Sequence, residues 1–317
     1  MREPFGDIHC PVLVDEVLEN LRPVTGKGIF LDATVGLGGH AQAVLERFPS
    51  ASVVGIDIDS EALALCKRRL ERYGERFMAI RGSYGDLGDL LSEAGIGTVD
   101  SILMDTGLSS YDIGTAARGF SFMLDGPLDM RYSRSSQLAS ARDLINRENV
   151  RELRKILRDF GDVPFAGRLA AAIVEARGKT AIRTTGELAA VVRRSIGRRL
   201  GHGKVESFLA KVFQAFRIAV NRELDVLDAG LQQSIAALAS GGRLLVVCYE
   251  SLSHRLTKRV FREHERGYVR PEDAAMGTFE PSAEIRIVNR KAIGASASEV
   301  ARNIRSRSGG LRIAERL

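Results

Sequence analysis

The run best able to do chemistry is Asp32-Ala33-Thr34-Val35-Gly36-Leu37-Gly38-Gly39-His40. Clustered glycines let a backbone approach a ligand closely and adopt positive φ. Asp57 follows Gly36 by 21 residues and ends the next apolar run, where a carboxylate suits a ribose diol. Gly36-x-Gly38-x-x-Ala41 also satisfies a dinucleotide fingerprint, so these residues alone leave a nicotinamide cofactor and S-adenosylmethionine both open. Two features favour the second. A carboxylate at Asp32 would crowd a pyrophosphate, but there it accepts bonds from an amino-acid ammonium or fixes the loop. A later apolar run ends in Asp105-Thr106-Gly107-Leu108-Ser109-Ser110, a polar loop of the kind that covers a methyl donor.

These residues need elements to hold them. Strand signals at 28–32, 52–57, 77–81 and 100–105 alternate with helix signals at 39–48, about 60–73 and 86–94. Alternation at this length predicts a parallel sheet wrapped by helices on both faces. The pattern then stops. Residues 112–205 show helical segments near 148–160, 164–177 and 185–199 but no convincing strand. From Glu206 to about Ala239 one long amphipathic helix is expected, with a stripe of Leu209, Val212, Phe213, Phe216, Val220, Leu227 and Leu231. Ser240-Gly241-Gly242 reads as its end, and apolar runs at 243–249 and 284–289 as further strands. The Ser-, Gly- and Arg-rich tail from Ala292 reads as extended or mobile.

The 317 residues suggest about two domains. With 44% hydrophobic and 27% charged residues, the chain has ordinary globular proportions and enough apolar side chain for a sizeable core. No apolar run approaches the ~20 residues of a membrane helix, and Met1-Arg2-Glu3-Pro4 lacks a signal pattern. The expectation is a soluble, cytoplasmic protein. Cys10, Cys66 and Cys248 form no Cys-x-x-Cys pair, so neither a disulfide framework nor a thiolate metal site is expected. The net charge of +6 is unevenly spread: residues 1–150 carry −7, residues 151–220 carry +9, and residues 286–317 carry +6. A regional basic surplus points to a phosphate-rich partner such as nucleic acid.

Taken together, these strings resemble the bacterial S-adenosylmethionine-dependent methyltransferases of the RsmH (MraW) type. These methylate the N4 of a cytosine in small-subunit ribosomal RNA. The resemblance spans nearly the whole chain. It rests on His9-Cys10-Pro11-Val12-Leu13, Asp32–His40, Asp105–Ser110, Arg118-Gly119-Phe120-Ser121-Phe122 and Gly126-Pro127-Leu128-Asp129-Met130-Arg131. It continues through Val212 to Asn221 and Gly242-Arg243-Leu244, and ends at Asn303-Ile304-Arg305-Ser306-Arg307-Ser308. It implies a class I methyltransferase, a Rossmann-like α/β fold with an inserted α-helical domain: core 1–111 and 206–317, insertion 112–205.

It also implies roles. Gly36, Gly38, Gly39 and His40 line the donor, Asp57 holds its ribose, and Tyr84, where the family usually has Phe, stacks on its adenine. Asp105 lies beside the sulfonium or the target amine. Asp112 takes a donor-contacting place where the family usually has Gln. Two further strings depart from the family, Ser207 to Lys211 and Cys248 to Arg255. A cytosine amine is a weak nucleophile because its lone pair is conjugated with the ring. An acceptor at its N–H bonds favours a tetrahedral nitrogen, which makes Asp105, or a carbonyl of Thr106–Leu108, the candidate catalytic group. Arg193, Arg194, Arg198, Arg199, Arg217 and Asn221 are the candidate RNA contacts. No metal is expected. The partner is ribosomal RNA or the small ribosomal subunit, with no membrane, and monomer and homodimer stay open. The alternatives are methylation of a different RNA base, a relative that binds donor or RNA without turnover, and a nicotinamide dehydrogenase.

Overall fold

The computed structural model describes residues 11–21, 28–196, 204–267 and 282–317. It divides into two compact units, Met1–Gly107 with Leu224–Leu317, and Leu108–Glu223.

The first unit is built on a sheet of β1 (Ile29–Asp32), β2 (Ser52–Asp57), β3 (Phe77–Arg81), β4 (Val99–Asp105), β5 (Leu238–Cys248), β6 (Ile285–Ile287), β7 (Ile293–Gly294) and β8 (Gly310–Arg316). The order is β3-β2-β1-β4-β5-β8-β6, with β7 also on β8. β1 to β5 are parallel, while β6, β7 and β8 pair antiparallel. Successive side chains of a strand point to opposite faces, so the near-continuous apolar runs serve two cores. Leu31, Val54, Ile102, Met104, Leu244 and Val246 face one core, and Phe30, Val53, Leu103, Leu245 and Val247 face the other. The first is closed by α4 (Leu87–Glu93), α11 (Glu223–Ala237) and α12 (Ser251–Arg266). The second is closed by α1 (Val14–Asn20), α2 (Gly39–Arg47) and α3 (Ser60–Leu70). Asp59 caps α3 by accepting the Glu61 N–H. This is the doubly wound, Rossmann-like α/β architecture anticipated above.

The second unit holds α5 (Ser110–Gly114), α6 (Ala141–Arg147), α7 (Val150–Gly161), α8 (Ala166–Lys179), α9 (Thr185–Ile196) and α10 (Val205–Asn221) around its own core. Its extended pairing among the described residues is one bridge, Pro127 to Thr184.

Four expectations need correction. The single helix from Glu206 to Ala239 is broken at Arg222, whose φ is +50°. Its stripe therefore divides: Leu209, Val212, Phe213, Phe216 and Val220 pack in the helical unit, Leu227 and Leu231 against the sheet. α10 lies with the helices, whereas residues from 206 onward were expected with the sheet. Ser240-Gly241-Gly242 lies inside β5 rather than ending a helix. The tail is ordered. It forms α13 (Ala297–Arg302), a 3-10 turn at Ile304–Ser308 and β8, whose Leu311, Ile313 and Ala314 are buried between β5 and β6.

Candidate active site

In an open parallel sheet, ligands bind beyond the carboxyl ends of the strands, where the strand order reverses. Here the reversal lies between β1 and β4, which pair side by side while the chain leaves them in opposite directions. Asp32 ends β1, Asp57 ends β2 and Asp105 ends β4. The sequence expectation therefore places three carboxylates along one edge.

The loop between β1 and α2 is tied to that edge by backbone geometry. Ala33 N–H donates to the Leu103 carbonyl at 2.9 Å, and Val35 N–H to the Ile56 carbonyl at 2.9 Å. Gly36, at φ +51°, donates its N–H to Asp57 Oδ2 at 2.8 Å, and Asp59 N–H donates to Oδ1 at 2.8 Å. Two backbone N–H groups thus orient the Asp57 carboxylate at the end of β2. Gly38 caps α2 at φ +81°, and a Cβ there would lie 2.8 Å from the Cys66 sulfur. Gly39 opens α2 beside the Pro11 ring. His40 is buried and its Nε2 donates to the Val12 carbonyl at 2.9 Å, so it secures the entering chain.

Asp32 is 1% exposed and, among the described residues, accepts one hydrogen bond, from the Thr34 N–H at 3.2 Å. Burial pushes its carboxyl up to about 6, opposed by the nearby His40 and the Thr34 bond and assisted by Asp105. Asp105 is positioned from both sides. Its N–H donates to Thr34 Oγ1 at 2.7 Å, and its Oδ1 accepts the Gly107 N–H at 3.3 Å. The Tyr249 hydroxyl, just beyond β5, donates to the same carboxylate. Burial, then the Asp105 charge, hold that phenol far above its ordinary range. A Cβ on Gly107 would meet the Tyr249 ring at 2.4 Å, so glycine is what admits the ring. Tyr249 carried no role in the sequence reading. Its one signal was its place in the Cys248 to Arg255 string, which departs from the resembled family.

Tyr84 stands in a 3-10 turn whose start Ser83 caps by accepting the Gly85 N–H. Its half-buried ring packs against Gly230 of α11. Gln233 holds the same turn, accepting the Gly88 N–H at 2.7 Å and donating to the Gly85 carbonyl. The two described cysteines are inert. Burial pushes the Cys66 thiol up to about 12 and the Cys248 thiol up to about 11.

In the helical unit, three expected site residues enter one scaffold. Asp112 forms a capping box with Ser109 and pairs with Arg118 Nε at 2.9 Å, both side chains buried. Arg118 reaches the Tyr132 carbonyl at 2.8 Å and lies over the Tyr111 and Phe120 rings. Tyr132 donates to Glu223 at 3.0 Å, and Arg217 grips the same carboxylate at 2.8 and 2.9 Å. Asn221 is 8% exposed. It accepts the Tyr132 N–H at 2.9 Å and donates to the Met130 carbonyl at 2.7 Å. Asp112, Arg217 and Asn221 are thus committed to internal partners, because a buried charge needs a mate and a buried amide needs bonds. Arg118 belongs to a string that matches the resembled family, and its burial is what gives it a role. Phe120 stacks on Tyr132, and Phe122 meets Phe213 edge to face. Arg193 and Arg194 are exposed in the last turn of α9, with Arg194 lining a groove alongside Lys179. Arg198 and Arg199 lie outside the described residues, as does His9.

Residues 7–317 match the family model described as the MraW methylase family. The chain is 42% identical over 310 residues to a ribosomal RNA small subunit methyltransferase H of Trichlorobacter lovleyi, covering 98% of both chains. It is 41% identical over 320 residues to a protein of the same name from Syntrophotalea carbinolica, covering 100% of this chain and 99% of that one. A Dehalococcoides mccartyi protein of that name is 38% identical over 310 residues, with 98% and 86% covered.

Proposed function

The chain belongs to the MraW methylase family, and from that premise we propose that it methylates the N4 of a cytosine in small-subunit ribosomal RNA. It is a methyltransferase and its cofactor is S-adenosylmethionine. The observation that carries the site assignment is the row of Asp32, Asp57 and Asp105 at the ends of adjacent strands.

The side chains present fit that cofactor. Asp57, oriented by two backbone N–H groups, suits the ribose diol. Asp32 and Asp105 offer negative charge to the ammonium, and the Tyr84 ring offers a face to the adenine. The bound donor supplies a methyl group already activated on a sulfonium, so this chain's part is orientation. Asp105 accepts an N–H bond from the target amine, which draws the nitrogen toward tetrahedral geometry. Tyr249 acts through Asp105, holding the carboxylate toward one rotamer.

The helical unit and the exposed cations Arg193 and Arg194 hold RNA phosphates in this reading. A ribosomal RNA substrate places the work in the cytoplasm, and among the described residues no helix is long and apolar enough to cross a membrane.

The test is transfer of labelled methyl to small ribosomal subunits, followed by mass spectrometry of the nucleosides. N4-methylcytidine is the expected product, and its yield falls with Asp105→Asn. A different methylated nucleoside moves the target base; none at all overturns the reading.

A further inference from the structure

The four unpaired cations on the outer face of α12 form, we propose, a docking ridge for the phosphate backbone of RNA, remote in sequence from the basic 151–220 segment. The proposal rests on the reading of ribosomal RNA as substrate, and it adds a second contact surface, on the sheet unit. Residues 221–285 carry a net −2, so net charge conceals the ridge; the fold creates it.

α12 is strongly two-faced. Ser253, Thr257, Val260, Phe261 and His264 are buried, with Val260 and Phe261 in the sheet's core. The side chains at Arg255, Lys258, Arg259, Arg262 and Arg266 are exposed. Their spacing of three to four residues keeps them on one face. From Arg255 to Arg266 the row runs roughly 16 Å at 1.5 Å per residue. These five cations, with Glu263, line one shallow depression.

The carboxylates nearby are already taken. Arg259 absorbs Asp228 at 2.9 Å and Glu263 at 3.0 Å. Glu265 accepts from Arg290 at 2.9 Å and from the Ile287 N–H at 3.0 Å. Arg255, Lys258, Arg262 and Arg266 have no ion-pair or hydrogen-bond partner among the described residues. An ordinary solvated helix face intersperses both signs within reach of one another; here the negative members are drawn off and the positive ones left. Three of the four are arginines, whose planar fork matches phosphate oxygens two at a time. An anionic membrane is the poorer partner. A helix that lies on lipid also presents apolar side chains, whereas the apolar side chains of α12 point into the core.

The test is the quadruple variant Arg255→Gln/Lys258→Gln/Arg262→Gln/Arg266→Gln, compared with the unaltered chain. Glutamine keeps helix propensity and removes only charge. Binding to small ribosomal subunits is titrated across a salt series. Each lost phosphate contact lowers the slope of log affinity against log salt by about 0.7 to 0.9, so the expected fall is about 3, with affinity lower by tenfold or more at low salt. The double variant Arg255→Gln/Lys258→Gln is expected to show about half the slope change. An unchanged slope in both variants overturns the ridge. So does charge-dependent binding to anionic phosphatidylserine vesicles with subunit binding unaltered. Methyl transfer is read separately. Normal transfer with an unchanged slope removes the ridge and leaves the enzyme assignment standing. A reduced slope without any methyl transfer by the unaltered chain keeps the ridge and removes the assignment.

Discussion

In the helical unit, Asp112 is matched by Arg118, Asp129 by Arg131 and Glu223 by Arg217, all at 2.7 to 2.9 Å. In the sheet unit, Asp32 and Asp105 stand at strand ends without an arginine or lysine ion pair among the described residues, held by backbone N–H groups, Thr34 and Tyr249. Both sets sit in strings that resemble one family. The first set is internal scaffold: its charges are neutralised at home. The second set keeps negative charge in a partly buried place, which is what a cationic ligand requires. A motif match alone does not separate the two; the presence of a partner does.

The largest expected effect breaks the scaffold. Removing one member of a buried ion pair leaves an uncompensated charge, at about 3 to 5 kcal/mol. Asp112→Ala is therefore expected to lower stability by that order in chemical denaturation while leaving the calorimetric affinity for S-adenosylmethionine near that of the unaltered chain. A full-stability variant with lost donor affinity would return Asp112 to the donor site, where its sequence position first put it.

That contrast shows what could be read in advance and what could not. The alternation of β1 to β4 with α2 to α4 was legible because strands buried on both faces and short helices leave strong local signals. Asp57 opposite Gly36 was legible for the same reason. The break at Arg222 was not, because a non-glycine residue at positive φ carries no local mark. β8 was not, because Arg312, Glu315 and Arg316 dilute a strand whose burial comes from its place between β5 and β6. The partners of Asp112 and Asp105 come from tertiary packing, and local pattern does not reach them.

Asp32 tests the other side of the comparison. Its folded pKa of about 6 lies above the ordinary carboxyl value of 3.8. Its contribution to stability is thus complete below pH 3.8 and lost as pH rises through about 6. Above that, the buried charge opposes folding. Asp32→Asn is expected to stabilise the ligand-free chain at pH 8, by roughly 3 kcal/mol on 1.36 kcal/mol per pKa unit. It should at the same time weaken donor binding. In the unaltered chain, donor affinity is expected to rise roughly tenfold from pH 5 to pH 7.5, because the ammonium favours the ionised form. The variant should lose this dependence. A variant that binds donor normally at every pH would make Asp32 part of the scaffold too.

Asp105→Asn comes next. One charge-assisted hydrogen bond contributes about 1.5 to 3 kcal/mol, so turnover is expected to fall about ten- to a hundredfold. Turnover at saturating donor and RNA is the measurement that separates this role from donor binding; a change confined to donor affinity would confine Asp105 to the cofactor.

The smallest effect probes how Asp105 is held. Tyr249→Phe keeps the ring that Gly107 admits and removes only the hydroxyl, so stability should hardly move. The loss of one hydrogen bond, about 1 kcal/mol, predicts a fall in turnover of about fivefold. A purely structural tyrosine would leave turnover at saturating donor and RNA unchanged. Gly107→Ala is the companion variant. Its Cβ would meet the Tyr249 ring at 2.4 Å, and the displaced tyrosine should reduce turnover further than Tyr249→Phe does. Adding Tyr249→Ala to Gly107→Ala clears the collision, so recovery toward the Tyr249→Phe level is expected. No recovery would mean that Gly107 itself, through the N–H it gives Asp105 at 3.3 Å, sets the carboxylate, with Tyr249 secondary.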